Sequence, residues 1–386
     1  MRENKRKKKG FIENLIGKLF VLILFLIMIV NFLVPDKEMS EQENRMLAEK
    51  PNLDLSSVTN GNFMESYESY LSDQFVGRNG WRSVKVTLDR LGGSREQNDV
   101  LIGKSHQLME KIEVPKKENL SANLEAIQNF RQTYSDIPMT MLLVPDAANI
   151  LSDKLPALAT VEDQTQLINQ VKKDLGDSVN WVDAVSVLNK RKSEKIYYKT
   201  DPHWTALGAY YTFQEAAKSL EIADDAMRSY VAYPVTDSFN GTLAAKSGVE
   251  LDAKETIEIY VPSDADNDVI VNYVDEQRRT TSIYDSSKLE TRDKYAVYLG
   301  GNSSLIDIKT ASAENRRLLL VKDSFANSFV QFLTPYFREI VMVDPRYYSG
   351  TIQDVMDTYR ITDVLFLYSG NTFFQDNNIS GVFGSE

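Results

Sequence analysis

The strongest signal in the hydropathy pattern lies near the start, where residues 19–34 read LFVLILFLIMIVNFLV without a single charge. Counted from Leu15, with the Lys18 side chain reaching toward headgroups, the run is about twenty residues, enough for a helix to cross a hydrocarbon core of roughly 30 Å. No comparable run recurs after Pro35. Residues 35–62 are polar and punctuated by Pro35, Pro51 and the turn pair Asn60-Gly61, which reads as a stalk or linker. From 63 to 91 apolar positions return at helical spacing (Phe63, Tyr67, Tyr70, Leu71, then Trp81, Val84, Val86, Leu88, Leu91). This spacing predicts two amphipathic helices broken near Gly77.

Beyond Gly92-Gly93 the period begins to alternate. Residues 99–104 predict a strand ending in a turn, and 120–134, 165–175 and 205–220 predict helices. The run MTMLLV at 139–144, closed by Pro145, reads as a buried strand, and 179–182 as a further strand. Near the end RLLLV (317–321), EIVMV (339–343) and VLFLY (364–368) are separated by helical patterns. Strands and helices in this alternation predict an α/β fold with a largely parallel sheet covered on both faces. Residues 221–295 break the rhythm: they are polar, with strand-like pieces at 256–261 and 268–274, and read as an insertion or lid with some β-structure. The expected division is a tail at 1–14, a transmembrane anchor at 15–34, a stalk and helical linker at 35–94, and an α/β domain at 95–386.

Composition sharpens this outline. A hydrophobic content of 42% with 10% aromatic residues is that of a chain with a real core. The absence of cysteine removes disulfides, thiolate nucleophiles, Cys-ligated zinc and a lipid-modified cysteine anchor together. Only His106 and His203 are available as imidazoles, which argues against a His-rich metal site; no metal or cofactor is expected. Residues 1–18 carry Arg2, Lys5, Arg6, Lys7, Lys8, Lys9 and Lys18 against Glu3 and Glu13, a net of +5, so the remainder of a chain totalling -11 carries -16. The basic tail places the N-terminus in the cytoplasm and everything after Pro35 outside. A cleaved signal peptide is the competing reading, but Val34-Pro35-Asp36-Lys37 offers no small-x-small site and the apolar run is long for a signal core. A body so acidic does not suit nucleic acid.

Two stretches stand out chemically. Lys322-Asp323-Ser324-Phe325 follows the strand ending at Val321, so Ser324 sits at the carboxyl edge of the sheet, where α/β folds place ligands. Its hydroxyl would be exposed and its N–H would join a helix N-terminus able to stabilise an oxyanion; a plain helix cap explains the same residues. Thr200-Asp201-Pro202-His203-Trp204-Thr205 precedes the predicted helix at 205–220. A serine hydroxyl needs a base, and an imidazole needs a carboxylate to fix its tautomer, which Asp201 and His203, two apart, can supply. Asp201 as N-cap with Pro202 at the first helical position is the bland alternative. His106, in Gly103-Lys104-Ser105-His106, has no neighbouring acid and reads as surface loop.

With these residues in view the chain resembles the DHHW family, grouped with the alginate O-acetyltransferase-type, SGNH-hydrolase-like proteins. The likeness rests on Thr200-Asp201-x-His203-Trp204-Thr205 followed by Asp323-Ser324-Phe325. It is supported by Ser40-Glu41-Gln42-Glu43-Asn44-Arg45, Asp73-Gln74-Phe75 with Arg78, Val100-Leu101-Ile102-Gly103-Lys104, Phe239-Asn240-Gly241-Thr242-Leu243 and Asp344-Pro345-Arg346-Tyr347-Tyr348. Pro202 stands where the family's motif has its first histidine. The resemblance implies a flavodoxin-like SGNH fold, a triad of Ser324, His203 and Asp201, and transfer of an acyl group to a polysaccharide from a multi-pass membrane O-acyltransferase. Second oxyanion donors are sought at other strand ends, at Gly301, Asn302, Arg346 and Asn371, each of which is equally a turn residue or a surface ion-pair residue. Trp204, Tyr347 and Tyr348 are candidates to stack on sugar rings, or else core residues. A carbohydrate acetylesterase using the same triad with water, and a non-enzymatic polysaccharide-binding or scaffold module, remain the alternatives.

Overall fold

The computed structural model describes residues 2–40, 45–249, 254–264 and 266–384, and the side chains from Asn14 onward. Glu41, Gln42, Glu43 and Asn44 of the family-like stretch after the anchor lie outside the described residues. The chain forms two compact units, Met1–Gly93 and Ser94–Glu386.

In the first unit, helix α1 (Arg2–Leu33) contains a 20-residue span, Asn14–Leu33, long and apolar enough to cross a membrane, with none of that window buried in protein. Beyond a short helical turn at Leu55–Thr59, two longer helices follow, α2 (Asn62–Asp73) and α3 (Arg78–Leu91). Gly77 separates them at φ 68°, a left-handed conformation that glycine adopts without a Cβ penalty. The Asp73-Gln74 pair explains why the chain turns here. Asp73 binds Arg45 through two oxygens (2.8 and 2.5 Å) and accepts the Ala48 N–H. Gln74 accepts the Lys37 N–H and donates to the Lys37 and Ala48 carbonyls. The polar linker is thereby stapled to the helical pair. A cleft of about 620 Å³, lined by Val34, Pro35, Asp73, Phe75 and Arg78 among others, opens in this unit.

The second unit is built on an eight-stranded sheet. Its strands, with four others in chain order, are β1 (Val100–Ile102), β2 (Leu108–Glu110), β3 (Met139–Val144), β4 (Asn180–Trp181), β5 (Tyr230–Phe239), β6 (Glu255–Pro262), β7 (Val269–Tyr273), β8 (Arg278–Thr280), β9 (Leu305–Thr310), β10 (Arg317–Lys322), β11 (Glu339–Val343) and β12 (Asp363–Ser369). The order is β8-β7-β9-β11-β10-β12-β3-β4, with β1 and β2 in a separate small sheet and β5 paired with β6. From β11 to β4 the pairing is parallel; β9, β7 and β8 extend it antiparallel. Side chains alternate faces along each strand, so the apolar runs split into two cores. Leu142, Leu320 and Leu367 face helix α6, reached through Phe213; Leu143, Val321 and Phe366 face the helices carrying Phe130 and Ile168. The helices are α4 (Lys117–Thr133), α5 (Gln164–Leu175) and α6 (Ala206–Ser219). Burial on both faces is why these strands are unbroken apolar runs.

Residues 221–295 differ from an inserted lid. β7 and β8 lie in the central sheet, so this stretch is partly the sheet's own antiparallel extension. Its polar, period-2 pieces look unlike the core strands because β8 is the sheet's edge and β5–β6 a half-exposed hairpin.

Candidate active site

Strand β10 ends at Lys322, and Ser324 follows in a tight turn. Asp323 does more than cap: its two oxygens accept the Phe325 N–H (2.9 Å) and the Ser369 N–H (2.8 Å), tying the turn to the end of β12. The helix after it, α7 (Ala326–Phe329), is a single turn, so an extended macrodipole is not available and only local N–H groups can serve an oxyanion. Ser324 itself is half-buried and reachable.

His203 and Asp201 come from the loop before α6. The helix is capped by Thr205, whose hydroxyl accepts the Gly208 N–H (3.2 Å), which frees Asp201 from that task. Asp201 Oδ1 lies 2.5 Å from His203 Nδ1 and also accepts the His203 backbone N–H (3.1 Å). A carboxylate has no proton to give, so Nδ1 carries the hydrogen and Nε2 presents its lone pair. Nε2 is 2.8 Å from Ser324 Oγ. Three residues from two segments 121 positions apart therefore form one hydrogen-bonded line, with the Asp201 side chain 2% exposed and His203 12%. Burial alone would raise the Asp201 carboxyl; attraction from the His203 ring and the hydrogen bonds from His203 and Thr242 outweigh it, and its pKa lies below the ordinary carboxylate value.

The surroundings hold parts for which the sequence supplied no role. Thr242 N–H donates to Asp201 Oδ2 (2.9 Å), and Gly241 N–H to Thr200 Oγ1 (3.0 Å). A Cβ on Gly241 would lie 2.3 Å from Asp201 Cβ, so only glycine admits this approach. Glu255 accepts the N–H groups of Lys199 (2.8 Å) and Thr200 (2.9 Å) and fixes the loop. Tyr295 stacks on the imidazole, with centroids 4.0 Å apart and planes 12° off parallel, and its hydroxyl bonds Ser328 Oγ (2.9 Å). The run Phe239-Asn240-Gly241-Thr242-Leu243 was the visible trace of the first of these; nothing local marks Tyr295 or Glu255.

The candidate donors and stacking residues separate sharply. Trp204 is a core residue: it is fully buried, its Nε1 bonds Phe325 O (3.1 Å) and Ser328 Oγ (3.0 Å), and it packs on Phe329, so it offers no face to a sugar. Asn371 is saturated within the protein: its N–H binds Asp146 (2.8 Å) and its amide binds Lys111 O (3.0 Å) and Glu110. Gly301 N–H closes a turn on Tyr298 O (3.2 Å). The Arg346 Nε and Nη2 both bind Asp344 (2.8 and 2.7 Å). Asn302 is exposed and accepts from Lys322 (3.3 Å) and Asn327 (3.1 Å) at its oxygen, so those bonds leave its Nδ2 donor unused. Tyr347 is 57% exposed, and Tyr348 half-buried. His106 lies in an exposed turn of the small β1–β2 sheet.

A family model of DHHW proteins matches residues 138–343, just over half of the 386-residue chain and all of the line from Asp201 to Ser324. The chain belongs to the DHHW family. Among solved structures, this DHHW protein is similar to a DHHW family protein from Eubacterium siraeum, at 23% identity and TM-score 0.62, over 74% of this chain and 95% of that one. It is also similar to PatB1 from Bacillus cereus, at 22% identity and TM-score 0.61, over 72% and 98%. These likenesses establish the shared α/β fold with its mostly parallel sheet. A probable alginate O-acetylase, AlgJ, from Pseudomonas fluorescens is 22% identical over 178 residues, 43% of this chain and 44% of that protein. The chain thus matches less than half the length of that curated relative.

Proposed function

We propose that this DHHW protein is an O-acyltransferase, with acetyl the group moved, acting on a cell-surface or exported polysaccharide outside the cytoplasm. The observation that carries the reading is the continuous line Ser324 Oγ–His203 Nε2 and His203 Nδ1–Asp201 Oδ1, at 2.8 and 2.5 Å. The probable alginate O-acetylase named above supports acetyl transfer to a polysaccharide. The apolar span Asn14–Leu33 of helix α1, with the basic residues before it, supports a single-pass anchor with its N-terminus in the cytoplasm. A multi-pass membrane O-acyltransferase is the acyl source this location calls for.

In this reading His203 Nε2 takes the Ser324 proton as Oγ attacks the carbonyl carbon of the acyl donor. The tetrahedral oxyanion is met by the Ser324 N–H and by the Nδ2 of the exposed Asn302. His203 returns the proton to the departing oxygen, leaving the acyl ester on Ser324. A sugar hydroxyl then gives its proton to His203 and attacks that ester; the proton finally goes back to Oγ. Asp201 keeps the tautomer and balances the imidazolium. Tyr295, stacked on the ring, covers one face of the base against water.

The test is full-length protein in lipid with an activated acetyl ester, with and without oligosaccharide acceptor. Wild type transfers acetyl to sugar and is labelled on Ser324 by a sulfonyl fluoride; Ser324→Ala does neither. Equal partition between water and sugar would make the enzyme an esterase. Unchanged polymer acetylation in cells carrying a folded Ser324→Ala protein would leave only a binding module.

A further inference from the structure

Helix α3 is two-sided. At about 100° per residue, Trp81, Val84, Leu88 and Leu91 project within an arc of roughly 80°. They are 56, 52, 62 and 80% exposed. Val86, the residue this helix buries, projects from the opposite side. The apolar stripe is therefore turned away from its own unit, the reverse of what a helix does when its only partner is the protein core.

Three observations bear on what covers the stripe. The Val76 N–H, two residues before the helix, donates to Asn31 Oδ1 (2.6 Å), in the last turn of the apolar span. The helix thus starts at the level where that span ends. Its charges are Arg78, Arg82, Lys85 and Arg90 against Asp89, a net of +3, in a chain that beyond residue 18 is -16 overall. A tryptophan opens the stripe, the side chain most at home where lipid meets water. Basic flanks, an aromatic-led apolar face and covalent continuity with a membrane span are together the signature of a helix lying in the interface plane.

We propose that α3 lies flat in the outer lipid–water interface, with Trp81, Val84, Leu88 and Leu91 sunk among the headgroups and upper acyl chains of an anionic bilayer. The inference rests on the reading of α1 as a membrane span. It gives the protein a second lipid contact, so that the N-terminal unit is held against the surface instead of pivoting on one helix.

The chain has no cysteine, so a single introduced one carries a unique probe. Full-length Val84→Cys and Leu88→Cys, each bearing an environment-sensitive nitrobenzoxadiazole, are placed in nanodiscs of phosphatidylcholine and phosphatidylglycerol. Phe25→Cys, in the span, and Lys173→Cys, exposed in the other unit, are the standards. Lipids spin-labelled near the headgroup should quench the probes at 84 and 88 by about twofold or more, as expected of a helix buried ~5–10 Å into the boundary. Deep-labelled lipids should quench the probe at 25, and neither lipid the probe at 173. A quenched probe at 25 with unquenched probes at 84 and 88 overturns the inference and leaves the anchor standing. A blue-shifted but lipid-insensitive probe at 88 means a protein partner covers the stripe, which also overturns it. An unquenched probe at 25 removes the anchor, and the inference with it.

Discussion

Asp201 is held by four constraints at once: Gly241 leaves it room, Thr242 and the His203 backbone donate to it, and the imidazole lies against it. Replacing it with Asn keeps the shape but lets the amide donate to Nδ1, which reverses the tautomer. Acetyl transfer by Asp201→Asn should fall by about 10⁴ in kcat with the fold retained, read by steady-state kinetics beside circular dichroism. Gly241→Ala forces a Cβ into Asp201, so the loop must move; we expect a loss of about 1–3 kcal/mol in stability and a lower kcat with KM little changed. Lys322 is a different case. It is wholly buried, pairs with Asp344 (3.3 Å) and donates to Asn327 (3.0 Å) and Asn302, beneath the Ser324 turn. Burial lowers its pKa, against the pull of Asp344. Lys322→Met strands part of that network and should cost about 3 kcal/mol. If the double variant with Asp344→Asn regains none of this in denaturant melts, the ion pair is not what the single variant lost.

At the scale of elements, the carboxyl edge of the sheet gathers the loops that end β3, β10, β11 and β12. Asp146, just past β3, is fully buried, accepts from Gln164 Nε2 (2.5 Å) and the Asn371 N–H, and is pushed up to about 7, mainly by burial. Its folded value lies above its ordinary one of 3.8. The native state therefore keeps a proton that the unfolded chain gives up, and stability falls as pH rises from about 4 to about 7. Asp146→Asn should remove that slope and add up to about 4 kcal/mol at pH 8, measured by urea unfolding across the pH range. A slope unchanged by the substitution would assign it to another group. Elements also differed in how far the chain announced them. β3, β10, β11 and β12 were plain as apolar runs because both faces are covered. β7 showed only as a strand-like piece at 268–274, with no sign that it joins the central sheet, and β8 was hidden in a polar stretch, since strands at and near a sheet edge obey no such demand. The helix α7 is a single turn, and the pattern of Phe325, Phe329 and Leu333 continues through the 3₁₀ turn that follows it.

Taken as a whole, the molecule is an acidic body behind a basic, apolar N-terminus, and the charge has a consequence for the acceptor. Glu110 and Asp293, half-buried, feel the charges of Asp201 and His203 and so place two further acidic groups near the candidate triad; an acceptor rich in uronate should therefore be used slowly at low ionic strength and faster as salt is raised. A neutral oligosaccharide should show no such dependence, and equal salt profiles for the two would refute the argument. The residues of one chain also divide by what could be known of them in advance. Periodicity and burial are local consequences of the backbone, so the span, the paired helices around Gly77, the parallel strands and the helix before Leu220 were decided by order of residues alone. The serine, the histidine and its aspartate were visible as chemistry in a suggestive place. Their convergence, the stacking of Tyr295, the room made by Gly241 and the burial of Trp204 were decided only when folding brought together segments from about forty to more than a hundred and twenty residues apart. A hydrogen bond of 2.8 Å is a fact of three-dimensional distance, and no one-dimensional pattern carries it.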